Sequence, residues 1–184
     1  MGLRDRRADR HEERETFGRG GDARRYQMRE KMLSIGDDFW IEDASGERAF
    51  RVDGKALRIR NTFHLEDLQG QTLCTIQERK VRVRDSMEIE GPDGDLVALV
   101  RKALISPLRD RFHIELGDGP ELEAKGNIVD HEYEIEADGR QVATVSKKWF
   151  RVRDTYGVEI APDQDTALLL AVTVAIDDLG DSDE

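Results

Sequence analysis

The sequence predicts a mainly β protein, an antiparallel barrel of about twelve strands enclosing a central hydrophobic C-terminal α-helix. Three observations carry that expectation. Short runs of alternating apolar and polar residues fill the chain from Tyr26 to Ile160, and a period of two is the mark of a half-buried strand. The runs recur as a repeated unit with glycine-containing turn signals between copies. Beyond them lies Asp163–Leu179 (DQDTALLLAVTVAIDDL), whose apolar residues occupy every side of a helical wheel. A helix that is hydrophobic all round must be enclosed. From Thr166 to Ile176 this one carries no charge and no breaker.

Taken in order, residues 1–25 hold eight Arg and six acidic residues, with Gly18, Gly20 and Gly21 and few apolar side chains. That composition predicts a disordered charged arm. A barrel domain over 26–179 and an acidic tail over 180–184 complete the expected organisation. Tyr26–Leu33 reads as a first strand, turned by Ile35-Gly36-Asp37-Asp38 into a second at Phe39–Glu42.

The repeat begins at Gly46. Gly46–Val52, Leu57–Asn61 and Phe63–Glu66 recur 24 residues later as Gly70–Ile76, Val81–Asp85 and Met87–Glu90. A further shift of 69 gives Gly139–Val145, Phe150–Asp154 and Tyr156–Ile160. A degraded copy runs from Gly94 to Asp110 with one extra residue near Pro107, and a shorter unit fills Glu121–Glu136. Ser45-Gly46, Gln69-Gly70, Asp93-Gly94, Asp118-Gly119 and Asp138-Gly139 mark the turns. An opening hairpin and five two-strand units make about twelve strands. The alternation of Val81 and Val83 with Arg82 and Arg84 predicts one buried face. A closed barrel of this size leaves a lumen its own side chains cannot fill, and the apolar helix is the filling that lumen requires. Pro162 ends the last strand, and Asp163 and Asp165 are expected in the helix's first turn, facing the positive end of its dipole.

The 184 residues carry 40 acidic and 29 basic side chains, a net charge of −11, which excludes a general nucleic-acid binder. Only seven of the basic residues are Lys. An acid-rich, lysine-poor balance suits a high-salt cytoplasm, so a halophilic source is one expectation. The single Cys74 in Leu73-Cys74-Thr75-Ile76 excludes an internal disulfide and reads as a small buried hydrophobe. The charged N-terminus has no apolar core, so no signal peptide is expected. Asp163–Leu179 is too short for a transmembrane segment. A cytoplasmic monomer, peripheral to a membrane at most, is expected.

Tyr133-Glu134-Ile135-Glu136-Ala137-Asp138-Gly139 leads into Val142-Ala143-Thr144-Val145-Ser146-Lys147-Lys148. Arg153-Asp154-Thr155-Tyr156-Gly157-Val158-Glu159-Ile160 then leads into the apolar helix ending Ala175-Ile176-Asp177. These segments resemble the LURP-one-related family, within the tubby C-terminal-like superfamily, and the resemblance spans roughly Tyr26 to Leu179. It implies a twelve-stranded barrel around a central helix. Tubby domains bind phosphoinositide headgroups, and phospholipid scramblases are similar in fold. The cysteine-rich palmitoylated segment, calcium-binding stretch and longer membrane-active helix of those scramblases have no counterpart here.

Candidate chemistry is sparse. Arg60-Asn61, Arg84-Asp85, Arg109-Asp110 and Arg153-Asp154 recur at one place in successive units, which suits exposed cross-strand ion pairs or strand bends better than catalysis. Asp163-Gln164-Asp165-Thr166 mimics a phosphatase DxDxT nucleophile motif but lacks its parallel-strand setting, and helix capping accounts for it. His11, His64, His113 and His131 show no metal-ligand spacing, and surface or half-buried structural roles are expected. No catalytic residue, metal ligand or cofactor is expected. The cluster with functional appeal is Lys147-Lys148-Trp149 with Arg151. Lys and Arg hold phosphate oxygens and Trp suits a membrane interface. Arg82 and Arg84 occupy the equivalent place in the second unit. The expected function is a non-enzymatic binding domain for an anionic phospholipid headgroup or other phosphorylated ligand. A scaffold for an unknown protein partner and a scramblase-like membrane protein are the alternatives.

Overall fold

Among the described residues, twelve strands form where the sequence alternates and one helix where it does not. A computed structural model describes residues 22–29, 38–57, 60–81, 84–103, 110–150 and 155–181. The strands are β1 (Arg24–Arg29), β2 (Phe39–Asp43), β3 (Arg48–Leu57), β4 (Arg60–Glu66), β5 (Thr72–Val81) and β6 (Arg84–Glu90). They continue as β7 (Leu96–Lys102), β8 (Asp110–Leu116), β9 (Leu122–Asn127), β10 (Glu132–Ala137), β11 (Arg140–Ser146) and β12 (Thr155–Ile160), followed by α1 (Thr166–Asp181). Each strand pairs with its neighbours in sequence, and β1 closes the barrel on β12. Closure leaves no sheet edge to attract another chain.

The closing seam explains why β1 starts at Arg24 rather than at Tyr26. Arg24 pairs with Ile160 and Arg25 with Glu159, the first of six matched positions, and the Arg25 guanidinium bonds the Glu159 carboxylate at 2.8 Å. Of the arm expected over 1–25, residues 1–21 lie outside the described residues, as do 30–37, 58–59, 82–83, 104–109 and 151–154. The tail expected from 180 starts later, because α1 runs on to Asp181, and 182–184 lie outside the described residues.

The repeat is physical as well as textual. A register shift follows Ile41, Leu65 and Ile89, at 24-residue intervals. The same turn closes each time: Asp43 N–H to Glu47 C=O at 2.8 Å, Asp67 to Gln71 at 3.0 Å, Gly91 to Asp95 at 2.9 Å. In the first two copies the aspartate carboxylate also caps the turn, Asp43 accepting from Ser45 and Glu47 and Asp67 from Gln69 and Gln71. Phe63, Met87 and Phe112, and Leu65, Ile89 and Ile114, are equivalent inward positions, all at most 5% exposed. Their spacing lengthens by one residue before β8, where the extra residue was expected.

Helix α1 fills the lumen. Every residue from Leu169 to Ile176 is at most 2% exposed, so no side of the helix meets water. Each buried Leu, Ile or Val contributes about 1.5–3 kcal/mol. The one polar residue in this run, Thr173, donates its hydroxyl to the Leu169 carbonyl at 2.9 Å, which removes the cost of burying it. The helix does not begin at Asp163. The Gln164 N–H bonds the Ala161 carbonyl in a preceding turn, and Asp165 is the cap, its Oδ1 accepting from Leu168 N–H at 3.1 Å. Asp163 instead meets Arg140 at 2.8 Å, and that hydrogen bond holds its carboxyl below the ordinary range. Arg24 clamps the same end, donating to the Thr166 hydroxyl at 2.5 Å and the Pro162 carbonyl at 3.1 Å.

Two predictions follow from the packing and the turns. Leu169→Asp or Val172→Asp buries an unpaired charge and should abolish cooperative thermal unfolding, read by circular dichroism; a normal melt would refute the enclosed helix. Gly70 has φ +79° and open space where a Cβ would go. Gly70→Ala should therefore cost about 1 kcal/mol through backbone conformation alone, with Gly70→Asn costing less in the same denaturant titration.

Candidate functional site

Topology sorts the connections onto two ends of the barrel. The turns entering odd-numbered strands from β3 to β11 share the end where α1 starts, marked by Arg140 on Asp163. The opposite end receives the helix C-terminus, where Asn61 donates to Asp178 at 3.2 Å. The turn after β11 lies at this second end, so Lys147, Lys148 and Trp149 sit at the barrel mouth.

Their turn is built around one carboxylate. Glu132 stands opposite Ser146 across the β10–β11 ladder. Its Oε1 accepts from the Ser146 hydroxyl at 2.9 Å and from the backbone N–H groups of Lys147 and Lys148 at 3.0 Å each. The Phe150 N–H closes on the Lys147 carbonyl at 3.1 Å. Lys148 returns its ammonium to Glu132 Oε2 at 3.2 Å while its side chain stays 81% exposed. Charge-assisted bonds to backbone amides fix geometry strongly, whereas an exposed ion pair contributes little. Both lysines are thus held by their backbone amides, and the exposed ammonium of Lys148 can reorient.

Below this turn an open groove of about 690 Å³ crosses β9, β10 and β11, lined among others by Lys125, Glu132, Glu134, Glu136, Lys148 and Trp149. Lys125 bridges Glu136 at 2.6 Å and Glu123 at 3.3 Å, and its hydrogen bonds to those two carboxylates push its amine up. A second groove of about 400 Å³ continues past Lys125 to His113, Glu121 and Asp138. The rim is basic and the groove carries both signs.

Of the residues singled out from sequence, the fold brings Lys147, Lys148 and Trp149 together. Arg82 and Arg151 lie outside the described residues. Arg84 opens β6 opposite Val81, five strands round the ring from β11, and its side chain is not among those described. Asn61, expected in an exposed pair, instead reaches inward to the helix, because Asp178 is buried there and needs a donor. His64 meets the Thr75 hydroxyl at 3.3 Å, and His113 stands half-exposed 3.5 Å from Glu121. Cys74 is buried, and burial first, the charge of Asp165 second, push its thiol up to about 11. Among the described residues, no group of three or more His, Cys, Asp or Glu is placed to hold a metal ion.

Sequence reasoning missed a buried polar cluster where α1 meets the mouth. The Tyr156 hydroxyl donates to Asp177 Oδ2, and His131 Nε2 lies 3.7 Å from the same oxygen. The His131 ring packs on Tyr156 with centroids 4.2 Å apart, and the residue is only 7% exposed rather than at the surface. The Tyr133 phenol is buried beside them; burial and then the Asp177 charge push it well up. His131 and Tyr133 are near in sequence but Tyr156 and Asp177 are distant from them, and the local signal is the alternation that turns Tyr133 and Tyr156 inward.

Glu132→Ala should free the 146–150 turn, lowering stability by about 1–3 kcal/mol and speeding hydrogen exchange at the Lys147 and Lys148 amides. Glu132→Gln, which keeps an acceptor, should show a smaller loss. Unchanged exchange in both variants would show that the carboxylate does not hold the turn.

The profile of a family described as LURP-one-related matches residues 24–177. A crystal structure of an Arabidopsis thaliana protein, AT5G01750, superposes with a TM-score of 0.64 at 18% identity, covering 86% of this chain and 91% of that one. At that identity the likeness concerns the fold. No curated protein matches the chain.

Proposed function

Because the chain belongs to the LURP-one-related family, we propose that it is a non-enzymatic binding domain for an anionic phospholipid headgroup or another phosphorylated ligand, recognised at the Lys147–Lys148–Trp149 rim. The observation that carries this reading is the rim itself, two lysines and a tryptophan on a turn fixed by Glu132 beside an open groove. The lumen is taken by α1, so a ligand has to be met from outside. Lysine ammonium groups suit phosphate oxygens, and the Trp149 ring suits the apolar boundary next to a headgroup. Lys148 can turn from Glu132 to a ligand phosphate at little cost, its pair being exposed. Arg151, two residues beyond Trp149, extends the basic stretch. Arg84 opens β6, five strands round the ring from β11, and Arg82 lies two residues before it in sequence; a planar membrane surface, unlike a small ligand, would meet both sides of the mouth.

A protein-interaction scaffold is favoured by a different observation. Glu132, Glu134 and Glu136 line the same groove, and a net charge of −11 opposes approach to an anionic surface. Scramblase-like insertion of α1 is opposed by its burial and by Asp177 and Asp178 at its end. No described helix is long and apolar enough to cross a membrane.

Co-sedimentation with neutral, acidic and phosphoinositide-bearing vesicles, at low and high salt, tests the reading. Binding should require anionic headgroups, weaken with salt and fall by about tenfold or more in Lys147→Ala/Lys148→Ala, where two charge-assisted contacts are lost. Absence of binding to every vesicle would reject the lipid reading in favour of the scaffold.

A further inference from the structure

We propose that His131 is a positioning residue that ties the C-terminal end of α1 to the Lys147–Trp149 rim, so that the part-buried Asp177–Tyr156 pair sets the geometry of that rim. The consequence for ligand affinity rests on the binding reading above; the coupling itself does not.

Three contacts converge on residues 131 and 132. The His131 side chain points into the barrel, its ring on Tyr156 and its Nε2 3.7 Å from Asp177. The next side chain, Glu132, points outward and holds the amides of Lys147 and Lys148 at 3.0 Å. Between them, the His131 carbonyl accepts the Lys147 N–H at 3.1 Å. The Lys147 amide is thereby shared between an acceptor on the outward residue and one on the inward residue. A shift of the 131–132 step moves both acceptors together.

The backbone at His131 shows that this step is held in place. Its φ is +52°, a left-handed conformation that costs a non-glycine residue about 1–2 kcal/mol and persists only where surroundings over-determine it. The His131 N–H closes the preceding turn on the Ile128 carbonyl at 2.9 Å. The imidazole's contacts with Tyr156 and Asp177 supply the remaining restraint. Asp177 belongs to α1, so the rim is positioned from the helix that fills the barrel. By linkage, the coupling is reciprocal, so a ligand that binds the rim acts on the helix end by the same factor.

The test uses amide spectra of the full-length protein labelled with ¹⁵N, comparing wild type with Asp177→Asn, Tyr156→Phe and His131→Gly. Glycine preserves access to the left-handed backbone while removing the ring, and Tyr156→Phe removes one hydroxyl if the other variants fold poorly. All three should displace the Lys147 and Lys148 amide signals and the Trp149 indole signal, and His131→Gln should restore them in part. Ile89→Val, a core change on β6 across the ring, should leave them in place. Unmoved rim signals in the three cluster variants, or equal displacement in Ile89→Val, would overturn the coupling. Phosphoinositide-bearing vesicles and inorganic phosphate are then titrated into wild type and Asp177→Asn, with an expected affinity change of about fivefold. Displaced signals with no binding of either probe would keep the coupling and reject the ligand reading. Binding of both proteins with equal affinity and unmoved signals would do the reverse.

Discussion

A twelve-stranded barrel has a lumen that strand side chains alone cannot fill, and the whole molecule follows from how that space is occupied. The occupant is α1, closed to water on all sides from Leu169 to Ile176. Its apolar surface satisfies the inward faces of the strands, and their closure removes its solvent. Neither half is stable without the other: an open sheet would expose two edges, and an isolated sixteen-residue helix of this composition would expose a continuous apolar cylinder. The polar residues of the helix are confined to its ends and to Thr173, and four of them have specified partners. Arg24 holds Thr166, the Leu169 carbonyl takes Thr173, Tyr156 meets Asp177, and Asn61 meets Asp178.

Because the inside is full, the surfaces left for a ligand are the mouth and the outer wall. There the chemistry is governed by compensation. Lys148 has Glu132, and Lys125 has Glu123 and Glu136. A ligand bound there would exchange one set of partners for another rather than meet bare charge, and discrimination would depend on where the ammonium groups can turn. The Glu132 carboxylate matters more as a scaffold for backbone amides than as a counter-ion, which is why the geometry of the rim and its charge are separable properties.

Much of the fold was legible because it repeats. Inward residues at Phe63, Met87 and Phe112, and turns at Gly46, Gly70 and Gly94, are local patterns that recur, and recurrence turns a weak period into a strong one. The helix was legible for the opposite reason, an apolar run with no polar side. Its start was misplaced at Asp163 because capping acids and first-turn acids look alike in sequence; the hydrogen bond from the Gln164 N–H to the Ala161 carbonyl separates them. Of the candidate site, three adjacent residues, Lys147, Lys148 and Trp149, were legible as one cluster, because adjacency in sequence keeps them together on one turn.

The sequence by itself determined the class of fold, the identity of the plug and the basic character of the rim, since each is written in neighbouring residues through side-chain period and composition. Tertiary structure alone decided what those rim residues do. Glu132 reaches Lys147 and Lys148 only through the register of β10 on β11. His131, Tyr156 and Asp177 meet only because a turn, a strand and the helix end share one mouth of the barrel. Charge compensation and buried polar contacts depend on through-space distance, and closing the chain into a ring is what brings residues far apart in sequence within that distance.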